Sequence, residues 1–129
     1  MTPDDHARGL GWLMGNLQSL EATIRIFLSR TDPSINSIIG GPTFGPLIDE
    51  YNRQLAGDEP YSIDPQVLKI RNALAHGLVL APSNMSLPLT LYHKGQLYEM
   101  TVDWFRNQQT LVRGQHDRVF DCAKKRGII

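Results

Sequence analysis

Arg71, Asn72 and His76 stand within six consecutive residues, Arg71-Asn72-Ala73-Leu74-Ala75-His76, with Gly77 directly after them. These residue types suit phosphate chemistry. An arginine is permanently charged and matches two phosphate oxygens at once, and a histidine can both take and give a proton near neutral pH. On a helix, Asn72 and His76 lie only about 40° apart, so the amide can hydrogen-bond the imidazole and set its tautomer. Arg71 and His76 lie about 140° apart and do not share a face. The long arginine side chain, or a second copy of the helix, must bring the two together. A purely structural role is the competing reading. A buried Arg and Asn could pair with carboxylates or carbonyls, and a helix-end His could sit in the field of the C-terminal dipole, with no substrate involved.

The stretch Ile70-Arg71-Asn72-Ala73-Leu74-Ala75-His76-Gly77 resembles the signature of the HEPN superfamily, in which an Arg, usually followed by a polar residue, precedes a His by four to six intervening residues. Here four intervene. The resemblance implies a small all-α fold, commonly dimeric, and for many members metal-independent cleavage of RNA in toxin, defence or RNA-processing systems. In the mechanism it implies, His76 acts as general base or acid for attack of a ribose 2′-hydroxyl on the adjacent phosphate. Arg71 would stabilise the phosphorane, and Asn72 would orient the site. No cofactor and no metal are expected, and the expected partners are RNA, a second copy of the chain and an antitoxin or other regulatory protein. The sequence departs from the pattern at Leu78, where toxin members paired with a nucleotidyltransferase antitoxin often carry a Tyr, so regulation through that Tyr is not expected here. The alternative function is a non-catalytic helical dimer that binds a partner protein or a nucleotide.

Charge gives such a site no long-range help. Thirteen basic and thirteen acidic side chains cancel in 129 residues, so no global field draws the protein to nucleic acid and any RNA site must be local. Lys124, Lys125 and Arg126, with Arg113 and Arg118 upstream, could form a basic patch, or could be a solvated helix end favoured by its dipole. Glu21 interrupts an apolar stripe and is expected either to flank it and reach water or to pair with Arg71 or another cation near the site. His6, His76, His93 and His116 show no paired spacing of the kind that holds a metal. The single cysteine, Cys122, rules out an internal disulfide framework and is read as a packing residue. Asp4 and Asp5 stand where a signal peptide would be basic, and no apolar run is long enough to cross a bilayer, so a cytoplasmic protein is expected with no membrane partner.

The elements that must hold the motif follow from apolar spacing. Leu10, Leu13, Leu17, Leu20, Ile24, Phe27 and Leu28 predict a long first helix from about Asp5 to Arg30. After a break at Thr31-Asp32-Pro33 and a loop through Gly40-Gly41-Pro42, Thr43 is expected to cap a second helix with the stripe Phe44, Leu47, Ile48, Tyr51 and Leu55, ended by Gly57. The glycines from Gly40 to Gly45 lack the Gly-Lys-Ser/Thr ending of a phosphate loop. Asp64 and Pro65 open the motif helix, packed through Val67, Ile70, Leu74 and Leu78, with Gly77 ending it or admitting a neighbouring backbone. Alternation at Leu87, Leu89 and Leu91, a turn at Lys94-Gly95, and then Leu97, Met100 and Val102 predict a β-hairpin. Tyr92 and Tyr98 of that hairpin either pack on the bundle or stack bases. Asp103 is expected to cap a last helix with Phe105, Val112, Val119 and Cys122 on one face. The expected architecture is an all-α bundle of four to five helices, with a short β-hairpin between the third and last main helices, in a single domain spanning 1–129.

Overall fold

A computed structural model describes residues 1–32, 43–55, 61–81 and 86–129. In chain order it contains α1 (Pro3–Thr31), α2 (Phe44–Gln54), α3 (Pro65–His76), β1 (Leu78–Leu80), β2 (Thr90–His93), β3 (Gln96–Glu99) and α4 (Val102–Lys125). The fold is mostly helical, with a small antiparallel sheet between α3 and α4, as the sequence predicts. Among the described residues, no helix is long and apolar enough to cross a membrane.

Helix α1 begins where its orphan backbone donors find partners. The Thr2 hydroxyl accepts from the Asp5 amide, and the Asp5 carboxylate accepts from the Thr2 amide, a reciprocal capping box with Pro3 in the first turn. These bonds from Thr2 hold the Asp5 carboxyl below its ordinary value of 3.8. The box is therefore intact at neutral pH and is lost only as pH falls through that depressed value. The predicted stripe from Leu13 to Leu28 is buried, and Leu10 is half-buried.

Helix α4 packs along α1, and the contacts between them fix its direction. His6 meets Phe105 edge to face, Gln109 reaches the Gly9 carbonyl, Arg113 reaches Asn16, and Arg126 lies over Phe27. Both partners advance together, so the two helices run parallel. At Gly9 the fit is close enough that a Cβ would lie 2.8 Å from the Phe105 ring. Thr101, not Asp103, caps α4, because its hydroxyl accepts the Trp104 amide and Asp103 falls inside the first turn. Val102 accordingly belongs to α4 and not to the hairpin.

The segment before α3 is clamped by side chains. Asn52 of α2 both accepts from the Ile63 amide and donates to the Ile63 carbonyl, Tyr51 donates to the Tyr61 carbonyl, and buried Gln115 of α4 accepts from the Asp64 amide. Asp64 then caps α3 through the Gln66 amide. Thr43 occupies the cap position of α2 without a side-chain hydrogen bond, and α2 gives way at Leu55. The expected stops at Pro33, Gly40-Gly41-Pro42 and Gly57 lie outside the described residues.

Helix α3 buries Val67, Ile70 and Ala73, with Leu74 half-buried at the margin. Leu78 does not continue this stripe, because Gly77 caps α3 in extended geometry and the chain enters β1. The hairpin is therefore part of a three-stranded antiparallel sheet in the order β1-β2-β3. Lys94 and Gly95 both take positive φ, 50° and 78°, the pattern of a two-residue turn whose twist matches the strands. Gly77 fills both expected roles, ending α3 and admitting a neighbouring backbone. A Cβ there would stand 2.3 Å from the Ala73 carbonyl oxygen and 2.8 Å from that of Tyr92. Gly77→Ala is therefore expected to destabilise the fold by about 1 to 3 kcal/mol, measured by denaturant unfolding, and a change within error would show that the sheet can move away from α3.

Candidate phosphate site on the third helix

Arg71 projects from α3 toward α1 and α2. Its guanidinium lies 5.7 Å from the centroid of the Phe44 ring, a cation over an aromatic face. It lines a cavity of about 170 Å³ together with Met14, Leu17, Gln18, Glu21, Phe44 and Ala75. Phe44 is the residue whose part sequence reasoning missed. Its stripe marked it as scaffold, and nothing in the spacing connects it to an arginine in another helix.

Glu21 shares this cavity with Arg71 but ion-pairs with Arg25, at 3.5 Å. Glu21 flanks the buried stripe, half-buried, and of the two kinds of partner its alternative reading allows it takes another cation, Arg25, one turn along the same helix, and not Arg71. Among the described residues no carboxylate pairs with Arg71. Its recorded polar contact is a long one, 3.5 Å from Nη1 to the Asn72 Oδ1. Arg71 is thus a half-buried guanidinium whose counter-charge is not supplied by a carboxylate of the described chain.

Asn72 is half-buried and turned toward Arg71; the expected hydrogen bond from its amide to His76 is absent among the described residues. The 40° offset brings two side chains close without obliging them to bond, and the guanidinium is the stronger donor. His76 is the last residue of α3, exposed at the carbonyl end of the helix. It does not line the Arg71 cavity. One chain therefore presents the cation and the imidazole on different sides of one helix.

The C-terminal cations are arranged over rings. Lys124 lies over Phe120, Lys125 over Tyr61 and Arg126 over Phe27, at 5.7, 5.4 and 5.7 Å. None of the three lines the Arg71 cavity, and Arg113 is engaged by Asn16 and Asp117. A wider cleft of about 560 Å³ lies at the start of α1 and α4, with Arg8, Trp12, Phe105 and Arg106 in its walls. The motif residues do not reach it. Tyr98 packs near Trp104 at the base of the hairpin, whereas Tyr92 is exposed on its outer face. Among the described residues no cluster of three His, Cys, Asp or Glu side chains could hold a metal ion.

These placements predict how stability divides along α3. His76→Ala and Asn72→Ala remove side chains with few partners and are expected to change unfolding free energy by no more than about 0.5 kcal/mol. Ile70→Ala, one position before the motif, should cost about 2 to 5 kcal/mol. Thermal and denaturant melts of the three variants check this, and a large loss from His76→Ala would assign the imidazole to structure.

A scan against family models, a search of curated proteins and a search of solved structures each return no match to this chain.

Proposed function

We propose that the chain is an RNA-cleaving protein of the HEPN kind, acting through Arg71 and His76 without a metal. The observation that carries this reading is the state of Arg71. Arg71 is half-buried, and among the described residues no carboxylate pairs with it. It rests instead on Phe44 beside a small cavity, as a phosphate-binding guanidinium would. The exposed His76 on the same helix, together with the Arg-Asn-x3-His spacing, supports the reading further.

In the proposed reaction an imidazole accepts the 2′-hydroxyl proton as that oxygen attacks the neighbouring phosphorus. The bond to the 5′-oxygen breaks, that oxygen takes up a proton, and the products are a 2′,3′-cyclic phosphate and a 5′-hydroxyl. Arg71 offsets the added charge on the phosphoryl oxygens. Because Arg71 and His76 lie about 140° apart on one helix, the proposed active unit is a two-fold homodimer in which two copies of α3 face one substrate. A toxin or defence role, and control by an antitoxin or other regulatory protein, belong to the same proposal.

The test is incubation with mixed-sequence RNA in excess EDTA. Wild-type protein should leave 2′,3′-cyclic phosphate ends, and His76→Ala should lose about 10²- to 10⁴-fold in rate while remaining folded. Arg71→Lys keeps the charge but not the fork, and should lose most turnover at matched ionic strength. Undiminished cleavage by folded His76→Ala would overturn the catalytic assignment. RNA or nucleotide binding with no cleavage by wild-type protein would favour the binding-module alternative.

A further inference from the structure

A cleft of about 560 Å³ opens where α1 and α4 start side by side, and none of Arg71, Asn72 and His76 lines it. Its volume is that of a small-molecule site. Arg8, Gly9 and Trp12 come from α1 and Phe105, Arg106 and Gln109 from α4, each set spaced so that it shares one helix face. The Phe105 ring occupies the space that a side chain at Gly9 would need, so an aromatic ring forms part of the floor. Trp12 is 59% exposed and also lines two further cavities. A Cβ at Gly11 or Gly15, on the same helix, would meet nothing within 4 Å, so the indole stands in open space with a face available for stacking.

The polar groups of the cleft divide into those with partners and those without. The Asp5 carboxylate accepts from the Thr2 amide, and Arg106 pairs with Asp103 at 3.1 Å. Arg8 and Asp5 lie in each other's field, but among the described residues Arg8 makes no ion pair and no hydrogen bond. Gln109 donates through Nε2 to the Gly9 carbonyl at 3.4 Å, and among the described residues its Oε1 accepts nothing. One guanidinium, one aromatic face and one carbonyl acceptor are left over, around a space of ligand size.

We propose that this cleft binds a small aromatic acid, with its ring stacked on Trp12, its anionic oxygens on Arg8, and a hydroxyl or amino hydrogen of the ring donated to Gln109 Oε1. A guanidinium takes two oxygens of a carboxylate or of a phosphate ester alike, so the anionic group is one of these two. A nucleic-acid strand is the poorer occupant. It presents a charge at every nucleotide, whereas Arg106 and Arg113 along this groove are already paired with Asp103 and Asp117 and the chain has zero net charge. A ligand with one anionic group matches the one arginine of the cleft that lacks a carboxylate partner. The proposal uses none of the motif residues and is independent of RNA cleavage.

The chain has two tryptophans, Trp12 and Trp104, and NMR of their indole N–H signals, assigned with Trp12→Phe, reads the cleft directly. Titration with p-hydroxybenzoate and with p-hydroxyphenyl phosphate should shift the Trp12 signal and leave Trp104 in place. The tighter of the two should saturate with a Kd on the order of 1 mM, as expected for an efficient ligand of that size, and it identifies the anionic group. The neutral p-hydroxybenzamide should bind at least about tenfold more weakly. Benzoate, which lacks the ring donor, should bind about threefold more weakly than p-hydroxybenzoate, and Gln109→Leu should abolish that difference. Arg8→Gln, at an exposed position, should keep the wild-type circular dichroism and lose about tenfold in affinity for both acids. Arg30→Gln, at the other end of α1, should lose none. Absence of any Trp12 shift up to about 10 mM of either acid, weaker than such a site allows, overturns the proposal. So does undiminished binding by folded Arg8→Gln. A Trp12 signal that moves with protein concentration alone would give the cleft to a second copy, and displacement of the acids by a short mixed-sequence RNA oligomer would give it to nucleic acid; either result overturns the proposal. These readouts involve no cleavage, so an acid-binding protein that leaves RNA intact would retain this inference and lose the catalytic reading.

Discussion

The contact between the Gly77 backbone and the carbonyl of Tyr92 is the constraint on which the useful features of this fold depend. At Gly77 the chain must stop being helix and start being sheet within one residue, and β2 sits so close that a side chain there would overlap backbone oxygens. Three consequences follow from that one approach. Helix α3 ends immediately after His76, leaving the imidazole at an open helix terminus. The next residues cannot continue the buried stripe, so Leu78 is delivered to the outside of a sheet. And β2, which sends Leu91 into the core, is fixed against α3, tying the hairpin to the bundle through its central strand.

The other end of α3 is fixed by a different kind of interaction. Side-chain amides from α2 and α4, Asn52 and Gln115, hold the backbone at Ile63 and Asp64. Backbone groups at a helix start need partners when water is excluded, and these two amides supply them from helices that are distant in sequence. The rotation of α3 about its axis is then set by burial of Val67, Ile70 and Ala73. That rotation points Arg71 at Phe44 and leaves His76 outside. The parallel packing of α4 on α1 closes the frame, and it requires the long crossing connection that α2, α3 and the sheet provide.

Much of this frame was legible in the sequence, for an identifiable reason. Stripes such as Leu13 to Leu28 and Phe44 to Leu55 repeat at helical spacing over several turns, so each burial is reinforced by the next. The Lys94-Gly95 turn was legible because its residues favour the left-handed conformations that such a turn requires. Strand β1 was not, because three apolar residues following a helix continue its pattern as readily as they start a strand. What separates the two outcomes is the approach of Tyr92, a residue fifteen positions further on. The same limit governs the site. The resemblance of residues 70–77 to the HEPN signature singles out Arg71, Asn72 and His76 as candidates, but the ion pair that claims Glu21 and the ring that carries Arg71 come from rotamers and tertiary neighbours. The cap at Thr101 in place of Asp103 is a shift of two residues between polar side chains able to do the same work.

The separation of Arg71 from His76 also bears on what this helix can do. A guanidinium over a ring, lining a cavity of about 170 Å³, is restricted in position. On the proposed reading, its position costs little further entropy when a phosphate group arrives. An exposed imidazole at the last position of the helix has the opposite character. Efficient general acid-base chemistry needs that imidazole held within hydrogen-bond reach of the reacting oxygen, and among the described residues none hydrogen-bonds it. Either the substrate supplies the order, by bridging from Arg71 around the helix to His76, or a second copy does, by closing over the end of α3. The exposed apolar strand β1 begins two residues beyond His76. On the proposed reading, a second copy closing over that end of α3 would exclude water from the imidazole and restrict its rotamers in one step, whereas a substrate bridging from Arg71 would have to do both alone.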